Sequence, residues 1–203
     1  TNSKINNLKY NSLILRKTLQ SNKNYFFDNV SIDSRTIKKN NLFIALKGKT
    51  KDGHNFVNQA YKNGASYCVV SKTNKKSLRL INVKNTMKFL NQLAKNKREL
   101  SSGRFIAVTG SSGKTTVKTM LGTLLQKYTN TYFSPKSYNN SYGVPLSISN
   151  FNPNFSYGVF EVGMSKSNEI NKLSQLIKPN IGIITNVSEA HLENFRNIKD
   201  IAK

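Results

Sequence analysis

The sequence predicts an α/β protein in two parts, and three observations carry that prediction. Between residues 25 and 83 short apolar runs alternate with one helical pattern. From residue 104 onward apolar runs recur between helical stretches, as they do in a mostly parallel, doubly wound sheet. A helical segment at 85–100, broken by "SSG" at 101–103, leads from the first part into the second. At 203 residues the chain is long enough for two small cores.

In order along the chain, "FFDNVSID" and "NLFIALKG" read as strands, "NFVNQAYKNGA" as a helix, and "SYCVVS" and "LRLINV" as strands. Together they predict a small N-terminal α/β domain. "NTMKFLNQLAKNKREL" then places Met87, Leu90, Leu93 and Ala94 at helical spacing. The expected domains are 1–84 and 85–203, with this helix leading into the second. "RFIAVTG" reads as a buried strand, and "KTTVKTMLGTLLQK" as a helix with Val117, Met120, Leu121, Leu124 and Leu125 on one face. "NTYFSP", "SYGVFEVG" and "NIGIITNVS" supply the remaining strands. "SYNNSYGVP" is a polar loop ended by Gly143 and Pro145, either an Asn-rich turn or an amide-lined rim for a ligand.

The net charge of +23 would suit a nucleic acid or an anionic membrane. The basic residues are spread along the whole chain, however, with no block of five like charges and about thirty Asn beside them. That mixture reads as compositional bias, and no nucleic-acid partner is expected. A basic nucleic-acid-binding P-loop NTPase is the rival from another class. It predicts aromatics interleaved with Lys and Arg on an exposed face, whereas most Phe and Tyr here fall in strand patterns. The single cysteine, Cys68, excludes an internal disulfide and a multi-cysteine metal site, and its β-branched surroundings mark it as buried. "TNSKINNLKYNSLILRK" has no apolar run long enough for a signal peptide or membrane span, so a cytoplasmic enzyme is expected. The chain starts without Met and ends at "DIAK" without a helix stop, which reads as a fragment.

"VTGSSGKTTVKTM", residues 108–120, carries the chemistry. Small residues at Gly110, Ser111, Ser112 and Gly113 let backbone N–H groups close on an anion, and the helix that follows adds its positive dipole end. Lys114 would reach the β- and γ-phosphates of ATP, and the Thr115 hydroxyl could ligate its Mg²⁺, with Thr116 completing the motif. Val108 stands where the longer phosphate-loop pattern has Gly; an ordinary Gly/Ser turn is the alternative. Glu161 ends a neighbouring strand, where a carboxylate could hold Mg²⁺ or serve as a cap or ion-pair partner. Asn186 to His191 follow the next strand. In the first part, Ser34 and Arg35 end one strand, and Lys47, Gly48, Asp52 and His54 follow another; such groups could bind a nucleotide or form ordinary turns.

"TGSSGKTT", "NNSYGVP", "EVGMSKSNEI" and "TNVSEAHLENF", in this order, together with "DSRTIKKNNLFIALKGKTKDGHNFVNQAYKNGA", resemble the Mur ligase family of cell-wall peptide-adding enzymes. The likeness runs from about residue 28 to the end, and within the family it is strongest to members that add D-alanyl-D-alanine. The shorter G-x-x-G-K-T loop is the family's own form. The resemblance implies an ATP-dependent ligase working through an acyl phosphate, with UDP-N-acetylmuramoyl-tripeptide and D-alanyl-D-alanine as substrates and ATP and Mg²⁺ as cofactors; a monomer is expected. It assigns Lys114 and His191 to catalysis, Gly110 to Thr116 and Asn186 to the nucleotide, and Thr115, Glu161 and His191 to metal. Ser34, Arg35, Lys47, Gly48, Asp52, His54, Asn139 and Asn140 go to substrate. Asn168 departs from the family's usual Gly, for which a local turn change is expected. A further Lys of the family matches a position past Lys203, so this chain alone is expected to be inactive. The ligase adding the third amino acid and a folylpolyglutamate synthase relative remain the alternatives within the class.

Overall fold

The computed structural model describes residues 2–71, 73, 77–164 and 168–188. The chain divides into two compact units, Thr1–Lys97 and Arg98–Lys203. Among the described residues no helix is long and apolar enough to cross a membrane.

The first unit opens on α1 (Asn2–Leu19) and holds β1 (Val30–Ser31), β2 (Asn41–Ile44), α2 (Val57–Lys62), β3 (Ala65–Val70), β4 (Leu80–Asn82) and α3 (Thr86–Glu99), whose last residues pass into the second unit. Its four strands run parallel in the order β1-β2-β3-β4. Phe43, Ala45, Cys68 and Val70 pack with Ala60 of α2 to form a core beneath them. The divide falls at the end of α3 rather than near residue 84. The reason is α1, a helix that the apolar pattern of the sequence does not announce. Asn96 of α3 donates to Thr18 at 3.0 Å, and Lys97 Nζ donates to Asn11 Oδ1 at 2.6 Å.

The second unit holds β5 (Arg104–Thr109), α4 (Lys114–Gln126), β6 (Thr131–Phe133), α5 (Gly143–Ser149), β7 (Tyr157–Glu161), α6 (Glu169–Ile177) and β8 (Ile181–Ile184). Its sheet is parallel throughout, in the order β6-β7-β5-β8, so the winding reverses beside β5. Such a reversal opens a crevice at the carboxyl ends of the strands. Val117, Leu121 and Leu125 of α4 pack on Ile106, Val108 and Val159. Met120 and Leu124, expected on the same face, are 68% and 52% exposed. The packed stripe is the narrower i, i+4, i+8 row, itself half-buried, and the fully buried flank beside it is taken by Lys118 and Gly122. A Cβ on Gly122 would stand 2.5 Å from Phe133 Cγ, so glycine lets α4 lie close on β6. The "GVP" that closes the expected polar loop begins a helix instead: every residue of α5 is buried.

Candidate active site

The parallel register of the second sheet brings the ends of β5, β7 and β8 to one edge. Gly110 leaves β5 with φ +136°, and a Cβ there would meet the Thr185 hydroxyl and lie 2.9 Å from the Asn186 carbonyl. Gly113 adopts φ +76° as the cap of α4. Glycine is therefore required at the first bend by close contact and favoured at the second by its left-handed backbone.

The loop is braced by the segment after β8. Ser111 N–H donates to the Asn186 carbonyl at 3.0 Å, and Ser112 N–H donates to Asn186 Oδ1 at 2.9 Å. Asn186 Nδ2 returns a bond to Ser112 Oγ at 2.8 Å, and Ser111 Oγ is bonded to the Ser188 carbonyl at 2.9 Å. Asn186, expected at the nucleotide, thus has its side-chain amide engaged in shaping the loop. The amides of the first turn of α4 have no acceptor within the helix, which directs them at whatever anion sits above Gly113 to Thr116. Lys114 Nζ is half-buried and folded back on the carbonyls of Gly110 (2.6 Å) and Ser111 (3.2 Å). Those are neutral acceptors that an anion would outcompete.

Glu161 is 1% exposed at the end of β7. Its Oε2 accepts from Thr115 Oγ1 at 2.8 Å and its Oε1 from Asn139 Nδ2 at 2.8 Å. Ser137 Oγ lies 3.3 Å from Thr115 Oγ1. A Cβ on Gly163 would stand 2.9 Å from Asn139 Cγ, so the small residue makes room for that amide. The residue missed from the sequence is Lys118, 2% exposed, whose Nζ lies 3.6 Å from Glu161 Oε2. Burial pulls its ammonium below the ordinary lysine range, with Glu161 opposing the shift. Carboxylate, hydroxyls and an amide carbonyl make an oxygen-rich set suited to a hard cation that keeps several waters and phosphate oxygens as ligands. Among the described residues there is no cluster of three His, Cys, Asp or Glu. Asn140 stays out of this group: its Oδ1 accepts from Gly143 N–H at 2.9 Å and starts α5. His191 lies outside the described residues.

The first unit gathers its expected residues at the carboxyl ends of β1, β2 and β3, but uses several of them internally. Ser34 is buried and donates to Gln59 Oε1 at 2.8 Å. Arg35 is exposed and held by Asp33 through Nε at 2.9 Å and an Nη at 2.7 Å. Lys47 and Asp52 pair across a tight turn in which Gly48 N–H donates to the Lys51 carbonyl at 2.8 Å. The His54 amide bonded to Asp52 holds that carboxyl below the usual range. His54 Nδ1 contacts Asp52 Oδ1 at 2.6 Å, while its Nε2 accepts from Ser71 N–H at 2.9 Å. Ser71 Oγ also lies 3.1 Å from Nε2. The main-chain donor occupies the ring's acceptor, so this Asp–His–Ser set staples the turn to β3 and is not a poised nucleophile. Asn168 adopts φ 65° before α6, the left-handed region that Asn tolerates best after Gly, and this accounts for the residue in that place.

Strand, glycine loop and helix on a parallel sheet, with a buried carboxylate at the end of the adjoining strand, define a phosphate-loop α/β protein. Family models for the Mur ligase middle domain and for the "Mur ligase family, catalytic domain" match residues 108–203 and 27–98. The chain belongs to the Mur ligase family. It is 41% identical over 177 residues to the UDP-N-acetylmuramoyl-tripeptide–D-alanyl-D-alanine ligase of Rickettsia prowazekii, covering 86% of this chain and 39% of that protein. To the ligase of the same name from Escherichia coli it is 36% identical, over 87% of this chain and 39% of that one. A MurF crystal structure from Acinetobacter baumannii superposes with TM-score 0.80 at 31% identity, covering 94% of this chain and 43% of that one. The MurF ligase of Thermotoga maritima in complex with ADP superposes with TM-score 0.72 at 34% identity, covering 86% and 41%. The chain thus spans about two fifths of the length of these relatives.

Proposed function

We propose that the protein built on this chain is an ATP-dependent amide ligase joining D-alanyl-D-alanine to UDP-N-acetylmuramoyl-tripeptide in the cytoplasm, as a step of peptidoglycan precursor synthesis. The observation that carries this reading is the meeting of the Lys114 loop with Thr115, Glu161 and Asn139 at one sheet edge, in a chain 41% identical to a ligase of that name. The ADP complex of the Thermotoga maritima relative supports ATP as the nucleotide.

Lys114 and the first amides of α4 would bind the terminal phosphates, and their fixed donors would meet the charge that develops as the γ-phosphoryl group transfers. Thr115 and Glu161 would hold Mg²⁺, which when bound neutralises charge on the phosphate oxygens. The tripeptide's terminal carboxylate attacks the γ-phosphorus and ADP leaves. The amine of D-alanyl-D-alanine then attacks the acyl carbon, phosphate departs, and the amine's proton is lost. No protein nucleophile is required. Cys68 suits that scheme, being wholly buried with its thiol pushed up to about 11 by burial. Arg35, Lys47 and their neighbours would take the UDP-linked substrate. To test the reading, the complete protein is incubated with ATP, Mg²⁺, UDP-muramoyl tripeptide and D-alanyl-D-alanine and the products are weighed by mass spectrometry. The pentapeptide and ADP in equal amounts are expected. Ligation of a single amino acid in preference to the dipeptide would overturn the assignment.

A further inference from the structure

Thr115 and Lys118 are three residues apart on α4, so their side chains share one face of the helix. Both reach Glu161 Oε2, Thr115 by a hydrogen bond of 2.8 Å and Lys118 by an ion pair of 3.6 Å. Lys118 does more than neutralise the carboxylate. Its Nζ donates to the main-chain carbonyls of Ser134 at 2.8 Å and Lys136 at 2.6 Å. Lys136 has φ 55°, a left-handed conformation that costs free energy in a residue with a side chain. The turn it makes leads directly to Ser137 and Asn139, the two side chains that face Thr115 and Glu161.

We infer that Lys118 is a positioning residue: it clamps the strained turn after β6 onto α4 and so sets Ser137, Asn139 and Glu161 in one arrangement around Thr115. A buried ion pair can often be replaced by apolar groups without loss. Two main-chain acceptors cannot be satisfied that way: an apolar side chain leaves the buried Ser134 carbonyl unpaired and releases that of Lys136, which ties down the left-handed turn. The inference rests on the ATP-site reading for its catalytic consequence, but its structural half stands apart from nucleotide.

The experiment is amide hydrogen exchange on the nucleotide-free complete protein, followed by kinetics. In Lys118→Met, peptides spanning residues 134–142 should exchange at least tenfold faster while those of β5 keep wild-type protection. kcat should fall at least tenfold, with the KM for the UDP-linked substrate changed less than threefold. In Glu161→Gln the carbonyl clamp remains, so protection of 134–142 should stay within threefold of wild type. Should Lys118→Met not fold, Lys118→Gln replaces it; its amide ends one bond short of the lysine nitrogen and cannot reach both carbonyls, and the same peptides should lose protection. Wild-type exchange in the Lys118 variant, or equal loss in Glu161→Gln, would overturn the inference. Failure of the ATP reading shows separately, as wild-type protein that does not bind ATP.

Discussion

Gly110 is where the smallest substitution should have the largest local effect. Its φ is +136°, and a Cβ there would lie 2.9 and 3.0 Å from main-chain atoms of Asn186, which leaves no room for a methyl group. Neither neighbour can rotate away. Gly110→Ala should lower stability by about 1–3 kcal/mol and weaken ATP binding by more than tenfold; unchanged binding in a calorimetric titration would show that the loop is not the nucleotide site. Arg35 offers a contrasting case. Its guanidinium is exposed and already oriented by Asp33, so Arg35→Ala should raise the KM for the UDP-linked substrate about tenfold and leave that for ATP unchanged. Arg35→Lys should not restore it, because an ammonium lacks the fork that both Asp33 and a phosphate can share. Lys114, Thr115 and Glu161 could be named as candidates from residue type and position, and the structure brings Thr115 and Glu161 into contact. Lys118 could not, since a lysine within a helical pattern reads as a solvated face. The available signal was Gly122 one turn later on the same flank: a glycine inside a helix marks close packing, and what sits beside it is buried too.

At the scale of elements, the strands were readable because parallel, two-sided burial makes continuous apolar runs. β2 is buried at all four positions and β5 at four of six. The helices were less so. α1 carries Asn and Ser at positions that pack, and Asn11 is 1% exposed because its amide donates to the carbonyls of Phe27 and Asp28 at 2.9 and 2.8 Å. Polar residues spent on buried main chain do not register as a hydrophobic stripe. The α1–α3 contact carries a pH signature. Lys97 is 2% exposed, with its Nζ on Asn11 and 5.0 Å from the centre of the Tyr10 ring, and burial pulls it down to about 7. The unfolded chain holds that proton up to the ordinary lysine range, so unfolding takes up a proton above pH 7 and stability rises with pH through that window. Tyr10, pushed up to about 12 by burial, stays neutral there. Between about pH 7.5 and 9 the unfolding free energy of wild type should therefore climb relative to Lys97→Met, approaching ~1.4 kcal/mol per pH unit. Parallel curves in urea titrations across that range would contradict the burial of a neutral lysine.

For the whole molecule, both units are parallel sheets with the candidate residues placed at the carboxyl ends of the strands, and the sheet class followed from strands alternating with helices. Phe105, Phe151, Phe160, Tyr132 and Phe155 pack on one another with ring centres 4.7 to 6.2 Å apart, so these aromatics serve the second unit's interior rather than a stacking surface. The central claim is that the loop from Gly110 to Thr116, backed by Glu161, holds the phosphates of ATP. Calorimetric titration of ATP with Mg²⁺ into wild-type protein and Lys114→Ala tests it most directly. The Lys114 ammonium contributes charge-assisted bonds worth about 1.5–3 kcal/mol, so the variant should bind about ten- to a hundredfold more weakly while melting at the wild-type temperature. Equal affinity in the two proteins would contradict the claim.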